Sequence, residues 1–230
     1  MFRIIFSTCL CFFLLVSNAF SAPTCGSIIP GKNKFQWGLA SNFIHKYKMK
    51  GAGGNIKLRS NQFFLTLAYG IFKNLVFDGK LGIGDLKNDR VENNDLDYDT
   101  GWGGGYGLRY KLYENEKHKA RVILGFHHIS IHPPDEELNG KEYKAILDDN
   151  QIDVIFSREY DNFGSPYVGL KLSRSRLLRR DNTENSSFHS PWKIGIVIGY
   201  DKEFLQSNFL NLEMRFIDET SFNIGISHIF

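Results

Sequence analysis

The chain ends in the stretch SFNIGISHIF, residues 221–230, and this stretch sets the interpretation of everything before it. Apolar side chains at positions 222, 224 and 226 alternate with small or polar ones at 223, 225 and 227, and the last residue, Phe230, is aromatic. Alternation with a period of two indicates a β-strand that has one apolar face and one polar face. The sequence therefore predicts a final strand that lies between an apolar and a polar environment.

A final strand of this kind resembles the closing strand and assembly signal of bacterial outer-membrane β-barrels, with Phe222 and Phe230 as the signal residues. The resemblance implies an all-β chain that forms a single antiparallel up-and-down transmembrane barrel in a bacterial outer membrane. It also implies two kinds of partner, namely the outer-membrane lipids, including lipopolysaccharide, and the barrel-assembly machinery. A formal net charge of +3 without a basic, aromatic-interleaved motif argues against a nucleic-acid ligand, and we expect no cofactor.

The first 21 residues have the parts of a secretory signal peptide. Arg3 precedes an apolar run over residues 4–16, and Ala19-Phe20-Ser21 fits the small-x-small cleavage rule. The apolar run is shorter than the roughly 20 residues that a spanning helix needs. We expect cleavage after Ser21, with Ala22 as the next choice.

Residues 22–34 contain proline, glycine and lysine without a period, so we expect a short periplasmic lead-in. Two of the three cysteines leave with the signal peptide, which leaves Cys25 alone. A single cysteine forms no internal disulfide and has no metal-ligand spacing. An unpaired thiol, an intermolecular disulfide and a lipoprotein cysteine remain as the alternatives.

Residues 35–230 divide into about ten segments of alternating pattern, with eight or twelve strands as the other possibilities. The segments match the roughly 9–11 residues that a tilted strand needs to cross a bilayer. Ile56 and Leu58 fall on the opposite face of the predicted strand from Phe63, which predicts a bulge or an irregular stretch near Ser60 and Asn61. The predicted strands are about 35–48, 55–70, 75–84, 102–113, 119–131, 147–158, 166–175, 191–200, 208–217 and the final stretch.

The connections between these segments alternate in length. Residues 85–101, 132–146 and 176–190 form long predicted loops, and most of the other links are short turns. Short turns at one end and long loops at the other are typical of outer-membrane barrels. An even number of strands places both termini on the periplasmic side.

One face of the predicted strands is apolar and aromatic, and the other face carries full charges. A soluble barrel would turn its apolar face inward, but a barrel of about ten strands has too little interior volume for so many bulky side chains. The sequence therefore predicts the apolar face toward lipid and the charged face toward the lumen. The predicted lumen charges are Lys80, Arg109, Lys111, Arg121, Asp153, Lys171, Lys193, Glu213 and Arg215.

The lumen charges permit two interpretations. They form ion pairs that fill a narrow lumen, or they line a narrow pore that favours anions. Barrels of about eight strands are filled and open channels have about sixteen, so ten strands favour the filled interpretation.

His128 and Ser130 share parity with Phe126 and so face lipid near the end of the fifth strand. This His-x-Ser resembles that of outer-membrane phospholipases and lipid A deacylases, in which histidine is the base and serine the acyl nucleophile. Those families follow the serine with asparagine, whereas Ile131 stands here. The alternative is a pair of interfacial polar residues without catalytic role.

Two further groups of charges stand at the predicted loop end. Arginines at the outer rim can pair with lipid phosphates through two hydrogen bonds each, and a solvated loop is the alternative. The candidates are Arg174, Arg176, Arg179 and Arg180. Alternate carboxylates at Asp95, Asp97 and Asp99 could hold a divalent cation, although a solvated acidic loop fits the pattern better and we expect no metal.

The sequence thus favours a non-enzymatic outer-membrane barrel, either a small porin-like protein or a structural envelope protein with long extracellular loops. A lipid hydrolase that uses Ser130 and His128 is the alternative function. Adhesion through the long loops is a third possibility.

Overall fold

The computed structural model describes residues 26–51, 54–91, 94–138, 140–180, 185–190 and 193–230. The predicted signal peptide and Cys25 lie outside the described residues, so both remain predictions. No helix among the described residues is long and apolar enough to cross a bilayer.

The described residues form strands that are numbered here in chain order. Ten of them close an antiparallel barrel, and the remaining two, β6 and β9, are short additions at one end, which confirms the predicted fold class. The strands are β1 (Phe35–Gly51), β2 (Gly54–Phe72), β3 (Leu75–Val91), β4 (Asn94–Asn115), β5 (Ala120–His132), β6 (Glu136–Leu138), β7 (Lys141–Arg158), β8 (Ser165–Arg180), β9 (Asn185–His189), β10 (Lys193–Leu205), β11 (Asn208–Phe216) and β12 (Glu219–Ile229).

The final strand closes the barrel. β12 pairs with β11 on one side and with β1 on the other, in a ladder that runs from Gln36 opposite Ile229 to Tyr47 opposite Glu219. The amide of Phe230 donates to the carbonyl of Phe35 at 2.9 Å. The start of β1 and the finish of β12 therefore lie together at one end of the barrel, which we call the termini end. The opposite end is called the distal end.

Around the half of the barrel nearest the termini, large apolar side chains point outward and stay exposed. We call this ring the apolar belt, and six of its members are each at least 45% exposed: Trp37, Leu67, Leu81, Trp102, Leu170 and Ile194. Within the same ring, the alternate residues point inward and are polar and buried, such as Asp78, Asp153 and Lys171. A lipid-facing barrel needs this distribution, which is the reverse of that in a water-soluble protein.

The distal half of the barrel has the opposite distribution. Its interior is a cluster of buried apolar side chains, and lysines such as Lys48, Lys50 and Lys57 point out to solvent. We call this part the outer extension. It has the apolar core and polar exterior of a soluble protein, built on strands that continue from the apolar belt.

The long loops predicted at 85–101, 132–146 and 176–190 are therefore largely wrong, because these stretches mostly continue the strands. β3 runs to Val91 and β4 begins at Asn94, while β7 begins at Lys141 and β8 runs to Arg180. Their inward apolar residues are sparse and stand among charged outward residues, so the local composition resembles that of a loop. The hydrogen bonds that hold them come from neighbouring strands and are not visible in the local pattern.

The irregularity predicted near Ser60 and Asn61 is present in the β1–β2 ladder, but its extra residue lies on β1. β2 keeps one regular alternation from Ile56 to Phe64, and the register shift lies opposite it on β1, between Ile44 and Tyr47. Ile56 and Leu58 have inward parity because β2 passes there from the belt, where the interior is polar, into the outer extension, where it is apolar.

Candidate functional site: a filled lumen and a basic distal rim

The termini end of the lumen is filled by ion pairs and by the segment that precedes β1. Arg109 forms two bonds of 2.8 Å to the carboxylate of Asp78, and both side chains are almost fully buried. The remaining guanidinium nitrogen of Arg109 donates to the carbonyls of Ile28 at 2.8 Å and Gly26 at 3.2 Å. Arg109 therefore ties the barrel wall to the incoming segment.

The incoming segment, residues 26–30, was expected as a lead-in outside the barrel, but it lies within the termini end. The amide and hydroxyl of Ser27 both donate to Asp201 Oδ2 at 2.7 Å, and Ser27 is fully buried. Gly26 has a φ of 76°, and a Cβ there would lie 2.6 Å from Asp201 Oδ1, so the close approach requires glycine. The segment has no periodic pattern, so its sequence contains no signal for this position.

A second buried group of charges lies on the β8, β11 and β12 side of the lumen. Lys171 Nζ lies 2.9 Å from Asp218 Oδ2 and 2.5 Å from Glu219 Oε1. Arg215 Nη1 lies 3.0 Å from the same oxygen of Glu219, and its Nε lies 3.5 Å from Glu213 Oε1. All five side chains have no solvent exposure in these pairs. The basic lumen residues thus have acidic partners that neutralise them.

The remaining predicted lumen residues have more varied surroundings. Asp153 Oδ2 lies 3.4 Å from Nε2 of the buried His127. Arg121 and Lys111 lie near the termini end, where they pair with Glu159 at 3.1 Å and Glu114 at 2.5 Å. Lys80 is buried beside the lumen cavity. Lys193 donates to the carbonyl of Lys48 at the distal end.

The acidic partners are the residues that sequence reasoning largely missed. Asp218 and Glu219 fell in the short turn predicted before the final strand; Glu219 instead begins β12, and both side chains are buried in the lumen. Asp201 was also placed in a turn but belongs to β10. Inward parity within longer strands could have found Glu219 and Asp201, whereas Asp218 stays in the turn between β11 and β12.

Between the buried ion pairs, the lumen has little empty space. A cavity of about 60 Å³ lies beside Asp78, Lys80, Arg109 and Asn223, and it has room for a few water molecules. Beyond it, toward the distal end, the apolar cluster fills the interior, and six of its members are no more than 1% exposed: Met49, Leu58, Leu86, Ile129, Ile131 and Leu177. A water-filled channel would expose its lining, so the described residues form a closed lumen.

His128 and Ser130 point outward from β5, but they do not bond to each other. Ser130 Oγ donates to Asp148 Oδ1 at 2.8 Å and lies 2.9 Å from His132 Nε2, while His128 Nδ1 faces Asn150 Oδ1 at 3.0 Å. Because the single hydroxyl proton goes to Asp148, His132 must donate to Ser130. A histidine that donates to the hydroxyl cannot act as its base, and the carboxylate orients the serine instead of a histidine.

The four arginines divide between the two faces of β8. Arg174, Arg176 and Arg180 have outward parity directly beyond the apolar belt, which ends on this strand at Leu172. Arg179 has inward parity and lies over the ring of Tyr143, 4.4 Å from its centroid.

The outward arginines create a positive region on the distal surface. Partial burial, together with the positive charges of Arg176 and Arg174, lowers the pKa of the neighbouring His189. His189 is therefore neutral at pH 7 and adds no charge to this region.

The acidic stretch lies on the outer extension. Asp97 and Asp99 are exposed on β4, and the side chain of Asp95 lies outside the described residues. Among the side chains that the structure describes, no three histidine, cysteine, aspartate or glutamate residues cluster as metal ligands would.

These features define the class of protein. Inside a bilayer only a helix or a closed sheet satisfies every backbone hydrogen-bonding group, and a transmembrane barrel turns its apolar side chains to lipid and its polar ones inward. The chain has this arrangement: it is a closed antiparallel β-barrel of ten strands with the side-chain distribution of a transmembrane barrel.

Comparisons with known proteins found only distant structural likenesses. No family model and no curated protein matches the chain. Among solved structures, an outer membrane channel from Pseudomonas putida F1 is 10% identical with a TM-score of 0.48, and the match covers 91% of this chain and all of that one. The transport unit of the autotransporter AIDA-I from Escherichia coli is 10% identical with a TM-score of 0.46, over 95% of each chain. At such scores, the assignment rests on the chain's own geometry.

Proposed function

We propose that this chain is a non-enzymatic protein of the bacterial outer membrane, in which the barrel is a closed structural anchor for the outer extension. The porin-like alternative receives less support, because the lumen is filled by ion pairs near the termini and by apolar side chains beyond them. The single observation that carries the proposal is the burial of the apolar cluster around Leu58 and Leu177, each 1% exposed. Signal cleavage and insertion by the barrel-assembly machinery complete the proposal.

We expect the folded protein to insert into planar bilayers without producing stable conductance steps. The reason is that ions would have to cross a dry apolar cluster, where a charge is strongly disfavoured. The control is the same preparation run on a gel with and without boiling, since a closed barrel in detergent resists unfolding and shifts its mobility on heating. Reproducible steps whose size rises with salt concentration, from protein that passes this control, would show an open pore and contradict the proposal.

We also expect no fatty acid release when the protein is incubated with phospholipid or lipid A in mixed micelles. The reason is that the hydroxyl of Ser130 donates its hydrogen bond to Asp148 and no histidine accepts from it as a base. Ser130→Ala and His128→Ala are the matched variants. Release by the wild type that disappears in Ser130→Ala would establish the hydrolase instead.

A further inference from the structure

A groove lies on the outer surface of β7 and β8, beyond the apolar belt. It has a volume of about 430 Å³ and an apolar floor formed by Ile146 and Leu178, which face each other across the two strands. Lys144, Arg176 and Arg180 line its sides. Lys144 is the cross-strand partner of Arg180, and Arg176 is the partner of Asp148.

The charges of this groove are only partly neutralised. Asp148 accepts the hydroxyl proton of Ser130, and Lys144 forms an ion pair with Asp135. Arg176 Nε is buried and has no hydrogen-bond partner among the described residues. A buried guanidinium donor without an acceptor is costly, so the groove favours an anion that can accept from it.

The height of the groove on the barrel limits the kind of anion. Along β8, the lipid-facing residues end at Leu172, and Arg174, Arg176, Leu178 and Arg180 follow at alternate positions. A strand rises about 3.3 Å per residue, so Arg174 lies about 7 Å beyond Leu172, the last lipid-facing residue of this strand. Anionic headgroups of the outer leaflet lie at this height, and apolar side chains between cationic ones suit the faces of a phosphorylated sugar.

We propose that this groove binds the phosphorylated saccharide headgroup of lipopolysaccharide, with Arg176 and Arg180 as phosphate ligands and Ile146 and Leu178 under the sugar. The inference rests on the proposed placement in an outer membrane. It deepens that proposal by naming the lipid that the barrel holds. A free phosphate ion has the same charge but would leave the apolar floor uncovered.

The test is a binding titration of the folded, detergent-solubilised full chain, read by native mass spectrometry. The probes are bisphosphorylated lipid A, the same lipid without phosphates, and inorganic phosphate. Arg176→Gln/Arg180→Gln is the test variant, and Lys57→Gln/Lys87→Gln, which removes two positive charges from the β2–β3 side of the outer extension, is the matched control. Each preparation is first checked by its heat-dependent gel mobility, and Arg180→Gln alone serves if the double variant does not fold.

We expect the test variant to bind bisphosphorylated lipid A about tenfold or more weakly than the wild type, since two charge-assisted contacts are lost. We expect the control variant to bind within about twofold of the wild type, because exposed charges elsewhere contribute little. Equal binding of the lipid without phosphates, equal losses in both variants, or competition by inorganic phosphate at a similar concentration would each overturn the proposal. Lipid binding is measured in detergent and conductance in planar bilayers. A failure of the binding proposal therefore leaves the conductance test of the proposed function unaffected.

Discussion

Replacing Arg215 with methionine is expected to lower the free energy of unfolding by about 3–5 kcal/mol, as removal of one partner from a buried ion pair does. Arg215 is fully buried, and it lies 3.0 Å from Glu219 and near Glu213. Its removal would leave the three carboxyl groups of Glu213, Asp218 and Glu219 with Lys171 as their remaining cation in this buried group. The measurement is urea unfolding of the protein folded in lipid vesicles, followed by tryptophan fluorescence.

The control for this variant is Lys57→Met, which removes the same charge from an exposed position on the outer extension. We expect it to change the unfolding free energy by less than about 0.5 kcal/mol. Adding Glu213→Gln to Arg215→Met should recover part of the loss, because it removes one unbalanced carboxylate. If Arg215→Met costs no more than Lys57→Met, the lumen is hydrated and the closed-barrel proposal is wrong.

Replacing Leu170 with arginine is expected to lower the free energy of unfolding by about 2–4 kcal/mol. This is the destabilisation caused by an arginine near the midplane of a lipid-facing barrel surface. Leu170 is 61% exposed on β8, in the middle of the apolar belt. In a water-soluble protein an exposed leucine tolerates this change with little loss. The same unfolding measurement in vesicles therefore distinguishes lipid contact from water contact.

Thr100→Arg is the matched control, because Thr100 is exposed on β4 beyond the belt, where the barrel has a polar exterior. We expect the free energy of unfolding of this variant to lie within about 0.5 kcal/mol of the wild-type value. Equal costs for the two arginine variants would show that the boundary between belt and outer extension has been misplaced. A negligible cost for Leu170→Arg would argue against membrane insertion.

The lipid-facing half of the fold could be predicted because its signal is local. Leu81 and Ile83 alternate with Lys80 and Gly82 along one short stretch, and such alternation reports a boundary between lipid and lumen whatever strand lies next to it. The positions of Lys171 and Arg215 followed from the same parity. The outer extension could not be predicted in this way, since its few inward apolar residues, such as Tyr98 and Leu86, are separated by charges.

The candidate sites show the same division. Parity along β5 indicated that Ser130 faces outward, but only the neighbouring strand brings Asp148 to its hydroxyl. Likewise, the arginines of β8 were visible in the sequence, whereas the apolar floor beneath two of them requires Ile146 from β7.

By itself, the sequence indicated a barrel of about ten strands and the direction in which its apolar side chains point, because a period of two is a property of one strand and its two environments. The tertiary structure alone decided that the lumen is closed, that residues 26–30 enter it, and that the distal strands continue beyond the belt. These features depend on contacts between residues far apart in the chain, such as Ser27 with Asp201 and Arg109 with the carbonyl of Ile28. No local pattern encodes such contacts, since their hydrogen bonds form only when the barrel has closed.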